Sequence, residues 1–210
     1  MHVFISSEDC IMALSKIQSE SVNLADDFAF TGTVSGAGSN IKEQFTLVCN
    51  GEPITVGSGT YTPANVTTSQ LLTESHAVIN GSSLAYTPPS DTTEVIYEFS
   101  FTWQLYSTVQ QLAHYAMRID GTQITGTRNT YSNDATYGNE IIDFKWRIPI
   151  GGSASTSTGR VASWTSAKTI DMTARIYSST YTGQVHRASY WDGTSSAFFP
   201  QPIIKITALG

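Results

Sequence analysis

Few residues in this sequence have the type and spacing to do chemistry, and the most suggestive are Tyr190-Trp191-Asp192-Gly193, where two adjacent rings run straight into a turn. A tryptophan face in such a turn can stack on a sugar while the neighbouring carboxylate accepts its hydroxyls. The same residues equally suit one packed ring followed by an Asp-Gly turn. Tyr190, Trp191 and Asp192 are therefore the candidate ligand contacts. The four histidines, His2, His76, His114 and His186, lack the i, i+2 or i, i+4 spacing that sets two ligands on one face for a metal. His114 and His186 are the pair that could meet across neighbouring strands or gather around a threefold axis.

Covalent catalysis finds no support. No G-x-S-x-G pentapeptide occurs, and Gly57-Ser58-Gly59 lacks its spacing. Gly36-Ala37-Gly38 lacks the third glycine and the lysine of a phosphate loop. Asp171 and Asp192 stand apart, so no glycosidase carboxylate pair can be nominated. The expectation is a non-enzymatic chain with no catalytic residue, no metal and no cofactor.

Composition narrows the partners. The net charge is −6, and no stretch gathers four or more lysines and arginines, so the phosphate-neutralising footprint of a nucleic-acid binder is missing. Apolar runs fall far short of the roughly 20 residues that cross a bilayer, and no basic-then-apolar leader opens the sequence, so neither nucleic acid nor membrane is an expected partner. Cys10 and Cys49 are accordingly read as reduced thiols. Charged residues are 13% of the 210, about half the usual share, and Ser, Thr, Asn, Gln and Gly take their place. Aromatic residues are 11%, so large rings must do much of the packing.

The elements that must position these residues read as strands. In EVIYEFSFTWQLY, Val95, Tyr97, Phe99, Phe101, Trp103 and Leu105 alternate with Glu98, Ser100, Thr102 and Gln104, a period of two that only a half-buried strand satisfies. LAHYAMRI turns at Asp120-Gly121 and returns through Thr122 to Thr127 as a hairpin. IIDFKWRIPI places Ile142, Phe144, Trp146, Ile148 and Ile150 inward, and KTIDMTARIY places Ile170, Met172, Ala174 and Ile176 on one face. QFTLVCN, LLTESHAVIN, GQVHRASYW and PIIKITAL complete eight to ten strands with no helices between them, so the fold class is all-β, an antiparallel sandwich. Tyr97, Phe99, Phe101, Trp103, Phe144 and Trp146 are its expected core aromatics. Residues 1–40 differ: a weak helical spacing at Ile11, Leu14 and Ile17, then Phe28 and Phe30 in a strand-like alternation, suggest an arm ahead of the domain at 41–210. Leu14, Ile17, Leu24, Phe28 and Phe30 are its docking candidates.

SSLAYTPPSDTTEVIYEFSFTWQLY resembles the Y-x-P … VIYEF-x-F strand pair of tailed-bacteriophage virion proteins that carry a C1q/TNF-like jelly roll. GRVASWTSAKTIDMTARIYSSTY, VHRASYWDGTSS and PQPIIKITALG resemble their downstream half. With YAMRIDGTQI and DFKWRIPIGG, the similarity spans roughly residues 80–210. The resemblance implies a trimeric jelly roll on cyanophage-like particles, with no catalytic residues to carry over. The expected partners are then its own copies in a homotrimer and phage capsid or tail proteins, and the expected place is the virion surface after assembly in the host cytoplasm. A capsid decoration (cement) protein or head-fibre knob fits the length. The alternative is the tip of a tail fibre that binds a host cell-surface glycan through distal loops. The openings of such proteins also make Met12 a candidate native start.

Overall fold

The alternation becomes two antiparallel sheets in the computed structural model, which describes residues 40–104, 110–133 and 138–210. In chain order the strands are β1 (Ile41–Val48), β2 (Ile54–Val56), β3 (Gly59–Tyr61), β4 (Gln70–Leu71), β5 (Ala77–Val78), β6 (Leu84–Tyr86), β7 (Glu94–Gln104) and β8 (Gln111–Ile119). There follow β9 (Thr122–Gln123), β10 (Asn129–Asn133), β11 (Asn139–Pro149), β12 (Lys168–Ile176), β13 (Gln184–Val185), β14 (Ala188–Ser189), β15 (Ala197–Phe198) and β16 (Ile203–Leu209). Among the described residues there is no α-helix.

Eight of these strands make the body. One sheet runs β1-β16-β7-β11 and the other β6-β12-β8-β10, every neighbour antiparallel. Counted among those eight in chain order, the sheets read 1-8-3-6 and 2-7-4-5. That interleaving, in which the chain crosses between sheets at almost every connection, is the jelly roll.

The strict alternation of β7 explains why it sits at the centre. Val95, Tyr97, Phe99, Phe101 and Trp103 are all 2% exposed or less, and they meet Ile170, Met172 and Ala174 of β12 and Met117 of β8 in the space between the sheets. Successive rings on one face stack, as Phe99 and Phe101 do at 5.1 Å between centroids. Their polar ends are satisfied across the core. Tyr97 Oη donates to the Ser82 carbonyl at 2.6 Å, and Trp103 Nε1 donates to Gln111 Oε1 at 2.7 Å, tying one sheet to the other. The Asp120-Gly121 turn has φ of 49° and 78°, so both central residues are left-handed, as a two-residue hairpin joining Ile119 to Thr122 requires.

Several expectations need correction. Phe144 and Trp146 are half-buried rather than enclosed. Among the described residues β11 pairs with β7 alone, so it stands at the edge of its sheet and its inward rings are covered from one side. The return after Asp120-Gly121 is a strand only over Thr122–Gln123 and then tightens into a 3-10 turn at Thr125–Thr127. LLTESHAVIN splits into β4 and β5, and GQVHRASYW breaks at His186, whose φ of 60° cannot continue a strand. Pro149 does close a strand, and Pro88-Pro89 lies between β6 and β7. The readings on the arm, Leu14, Ile17, Leu24, Phe28 and Phe30 with Cys10 and Met12, fall outside the described residues, as does Leu105.

Candidate functional site

The candidate ligand contacts sit on a projecting hairpin formed by β14 and β15, in which Ala188 faces Phe198 and Ser189 faces Ala197. Tyr190, Asp192 and Gly193 have φ of 68°, 51° and 73°, so three of four consecutive residues are left-handed. Thr194 closes the turn with its N–H and hydroxyl, both donating to the Trp191 carbonyl at 3.2 Å. Below the turn the hairpin is anchored to the first sheet. Gln104 Nε2 donates to Ser189 Oγ at 2.6 Å, while Asn139 both donates to the Ser189 carbonyl and accepts from its N–H at 3.1 Å.

The result is a hydrogen-bonded base carrying an exposed aromatic tip. Trp191 is 71% exposed and Tyr190 48%, and the ring of Phe198 lies 6.1 Å from that of Trp191, tilted by 60°. Phe198 is the partner that sequence reasoning missed, because only the pairing of β14 with β15 brings it beside Trp191. Asp192, the residue after Trp191, is exposed as well. Two tilted aromatic faces exposed together can hold a sugar ring by stacking.

The other sequence candidates are dispersed. His186 is fully buried, with its ring edge-on to Phe101 and Phe199, whereas His114 lies on the outer face of β8 beside Thr130 and Tyr177, so the two do not meet. Asp171 is engaged by Arg118. Among the described residues no group of three or more His, Cys, Asp or Glu is arranged to hold a metal, and no helix is long and apolar enough to cross a membrane.

A second surface with functional bearing is the outer face of the first sheet. Glu98 on β7 accepts from Lys145 Nζ on β11 at 3.2 Å and from Lys205 Nζ on β16 at 3.0 Å. Burial pushes its carboxyl up, but the two lysines outweigh it and hold it below the usual range. Arg147 pairs with Glu94, and Ser100 Oγ donates to Asp143 at 2.5 Å. Beyond this ladder lie Val48, Ile203 and Ile141, exposed by 42%, 38% and 70%. Register sets Val48 against Ile203, Ile203 against Ser100, and Thr102 against Ile141, so the apolar residues share one end of the face.

No protein-family model matches the chain, and no curated protein matches it. Among solved structures, that of infectious bursal disease virus Gx strain aligns at 11% identity and a TM-score of 0.35, covering 80% of this chain and 36% of that one. The structure of infectious bursal disease virus Gt strain aligns at 10% identity and 0.34, covering 93% and 47%. The crystal structure of the infectious bursal disease virus VP2 subviral particle gives 10% and 0.25, covering 78% and 44%. The chain thus spans less than half the length of each of these matched chains. At such scores the likeness carries no inference.

Proposed function

We propose that this chain is a non-enzymatic structural protein of a virus particle: a self-associating jelly roll that decorates the capsid of a tailed bacteriophage or forms a head-fibre knob. The observation that carries self-association is the outer face of the first sheet. The outward residues of β7, β11 and β16 include three carboxylates, Glu94, Glu98 and Asp143, and three cations, Lys145, Arg147 and Lys205, so the face is neutral on a chain of net charge −6. Copies of a neutral, internally paired face meet without repulsion, and Val48, Ile203 and Ile141 add apolar area at one end. The trimeric count and the phage setting rest on the sequence resemblance over residues 80–210. Light scattering of the purified chain at micromolar concentration tests the reading: a trimer is expected, converted to monomer by Ile141→Asp with Ile203→Asp, and a wild-type monomer would overturn it. Electron microscopy of intact particles then separates decoration, with density at threefold positions of the shell, from attachment at the tail.

The aromatic hairpin favours a second reading, the glycan-binding tip of a fibre. Trp191 and Phe198 are exposed together on an anchored base, as a sugar-stacking platform requires. Binding to host-surface glycans that disappears in Trp191→Ala would select it.

A further inference from the structure

The outer face of the second sheet carries the opposite electrostatic character. Strands β5, β12, β8 and β10 lie side by side, with Ala77 against Ala174, Arg175 against His114, and His114 against Thr130. His76, one residue before β5, thus falls in a row with Arg175, His114 and Thr130, and Arg128 enters from the residue before β10. Together with Gln123 and Asn129 these residues line a groove of about 610 Å³.

The arginines that line this groove are held differently from their neighbour Arg118. Arg118, nearby on β8, is neutralised by Asp171. Arg128 instead donates through Nε to the neutral Gln123 Oε1 at 2.7 Å, and Arg175 through Nη1 to the carbonyls of Ile176 and Tyr177 at 3.2 and 3.3 Å. Among the described residues no carboxylate comes within 4 Å of either. His76 records the crowding: burial, then the positive charges of Arg175, His114, Arg118 and Arg128, hold it below the usual histidine range. Two guanidiniums that line one groove, each held by neutral acceptors, keep further N–H donors of the kind that recognises carboxylate and sulfate.

We propose that this groove binds an acidic saccharide, a sugar chain carrying carboxylate or sulfate groups. The charged group seats between Arg128 and Arg175. Hydroxyls meet the neutral rim of Gln123, Asn129 and Thr130, and ring faces follow from Tyr177, 6.0 Å from His114 and 5.9 Å from Tyr181. A nucleic acid fits less well, since continuous phosphates need many cations and the net charge of −6 repels a long polyanion. Because the groove lies on the sheet opposite the proposed self-association face, the inference goes beyond the structural reading and does not depend on it.

Calorimetric titration of the whole chain tests this with four probes: an oligogalacturonate, a heparin-derived oligosaccharide, neutral dextran and an oligothymidylate. One of the two acidic sugars is expected to bind, the carboxylated or sulfated one telling which group the forks prefer, with affinity falling as salt rises. Arg128→Gln with Arg175→Gln should weaken it at least about tenfold at an unchanged melting temperature. The single variants serve if the double variant misfolds. Silence toward both acidic sugars, equal binding of dextran, unchanged affinity in the arginine variants, or tighter binding of the oligothymidylate would each overturn the proposal. A chain that self-associates yet ignores both acidic sugars refutes this inference and leaves the structural reading standing.

Discussion

His186 donates its Nε2–H to the carbonyl oxygen of Asn80, 2.8 Å away, and thereby ties the break after β13 to the turn before β6. Its Nδ1 is buried without a partner among the described residues, which makes the ring neutral in the fold. Burial lowers its pKa to about 4, the Asn80 carbonyl opposing that shift only in part. Unfolded, the ring titrates near 6.5. Protons therefore bind the unfolded chain more readily between those values, and stability falls as pH drops through that window, then levels with respect to this group below 4. The stability lost across that window is roughly 3 kcal/mol. Urea unfolding from pH 7 to 4.5 should show this slope, and His186→Gln, which keeps an amide donor but does not titrate, should flatten it. An unaltered slope in the variant would refute the assignment.

Glu43 anchors a buried polar cluster beneath the β2–β3 hairpin. Its carboxylate accepts from the Ser58 N–H at 2.9 Å, the Ser58 hydroxyl at 2.6 Å and Tyr86 Oη at 3.0 Å. Burial, and then the Glu43 hydrogen bond, push the Tyr86 phenol well above its ordinary value, so it donates at any pH the fold survives. Tyr86→Phe should cost about 1–2 kcal/mol in chemical denaturation, and Glu43→Leu more than Glu43→Gln, because Leu strands all three donors. Equal stability of wild type and Tyr86→Phe would show that the cluster contributes nothing.

These relationships mark where sequence reading succeeds and stops. The face of β7 is legible because alternation acts locally: a side chain's face follows from its neighbours, whatever the tertiary fold. Asp120-Gly121 is legible because a two-residue turn demands left-handed backbone that Asp and Gly tolerate. Phe144 and Trp146 show the limit, since alternation says which side they face and not that β11 lies at an edge. The groove of His76, His114, Arg128 and Arg175 is invisible in sequence, because no two of these residues stand close along the chain and only the register of four strands assembles them. For the same reason Phe198 could not be matched to Trp191 in advance.

Cys49 should be chemically silent in the folded chain. Its side chain is fully buried, its thiol donates to the Gly81 carbonyl at 3.2 Å, and burial raises its pKa to about 11. Nucleophilic thiolate is thus scarce at neutral pH, and access is blocked as well. In a Cys10→Ser background, where Cys49 is the sole cysteine, a chromogenic disulfide reagent at pH 8 should react at the rate of unfolding and at once in concentrated guanidinium. Immediate stoichiometric reaction under native conditions would contradict the burial.

Trp191 should contribute to binding and hardly at all to stability. Its ring touches Phe198 but is 71% exposed, whereas Trp103 and Trp164 are buried. Replacing it with alanine removes little buried area, so the unfolding free energy should change by less than about 0.5 kcal/mol. Emission should shift to the blue, because Trp191 is the most exposed of the four tryptophans and leaves the buried Trp103 and Trp164 with the half-buried Trp146, and acrylamide quenching should fall. If the hairpin is a sugar platform, Trp191→Ala and Phe198→Ala lose glycan binding together while Arg128→Gln keeps it. If the groove across the second sheet is the saccharide site, that pattern reverses. The three variants therefore separate stacking recognition at the tip from charge recognition on the sheet, in one folded protein and with one set of glycans.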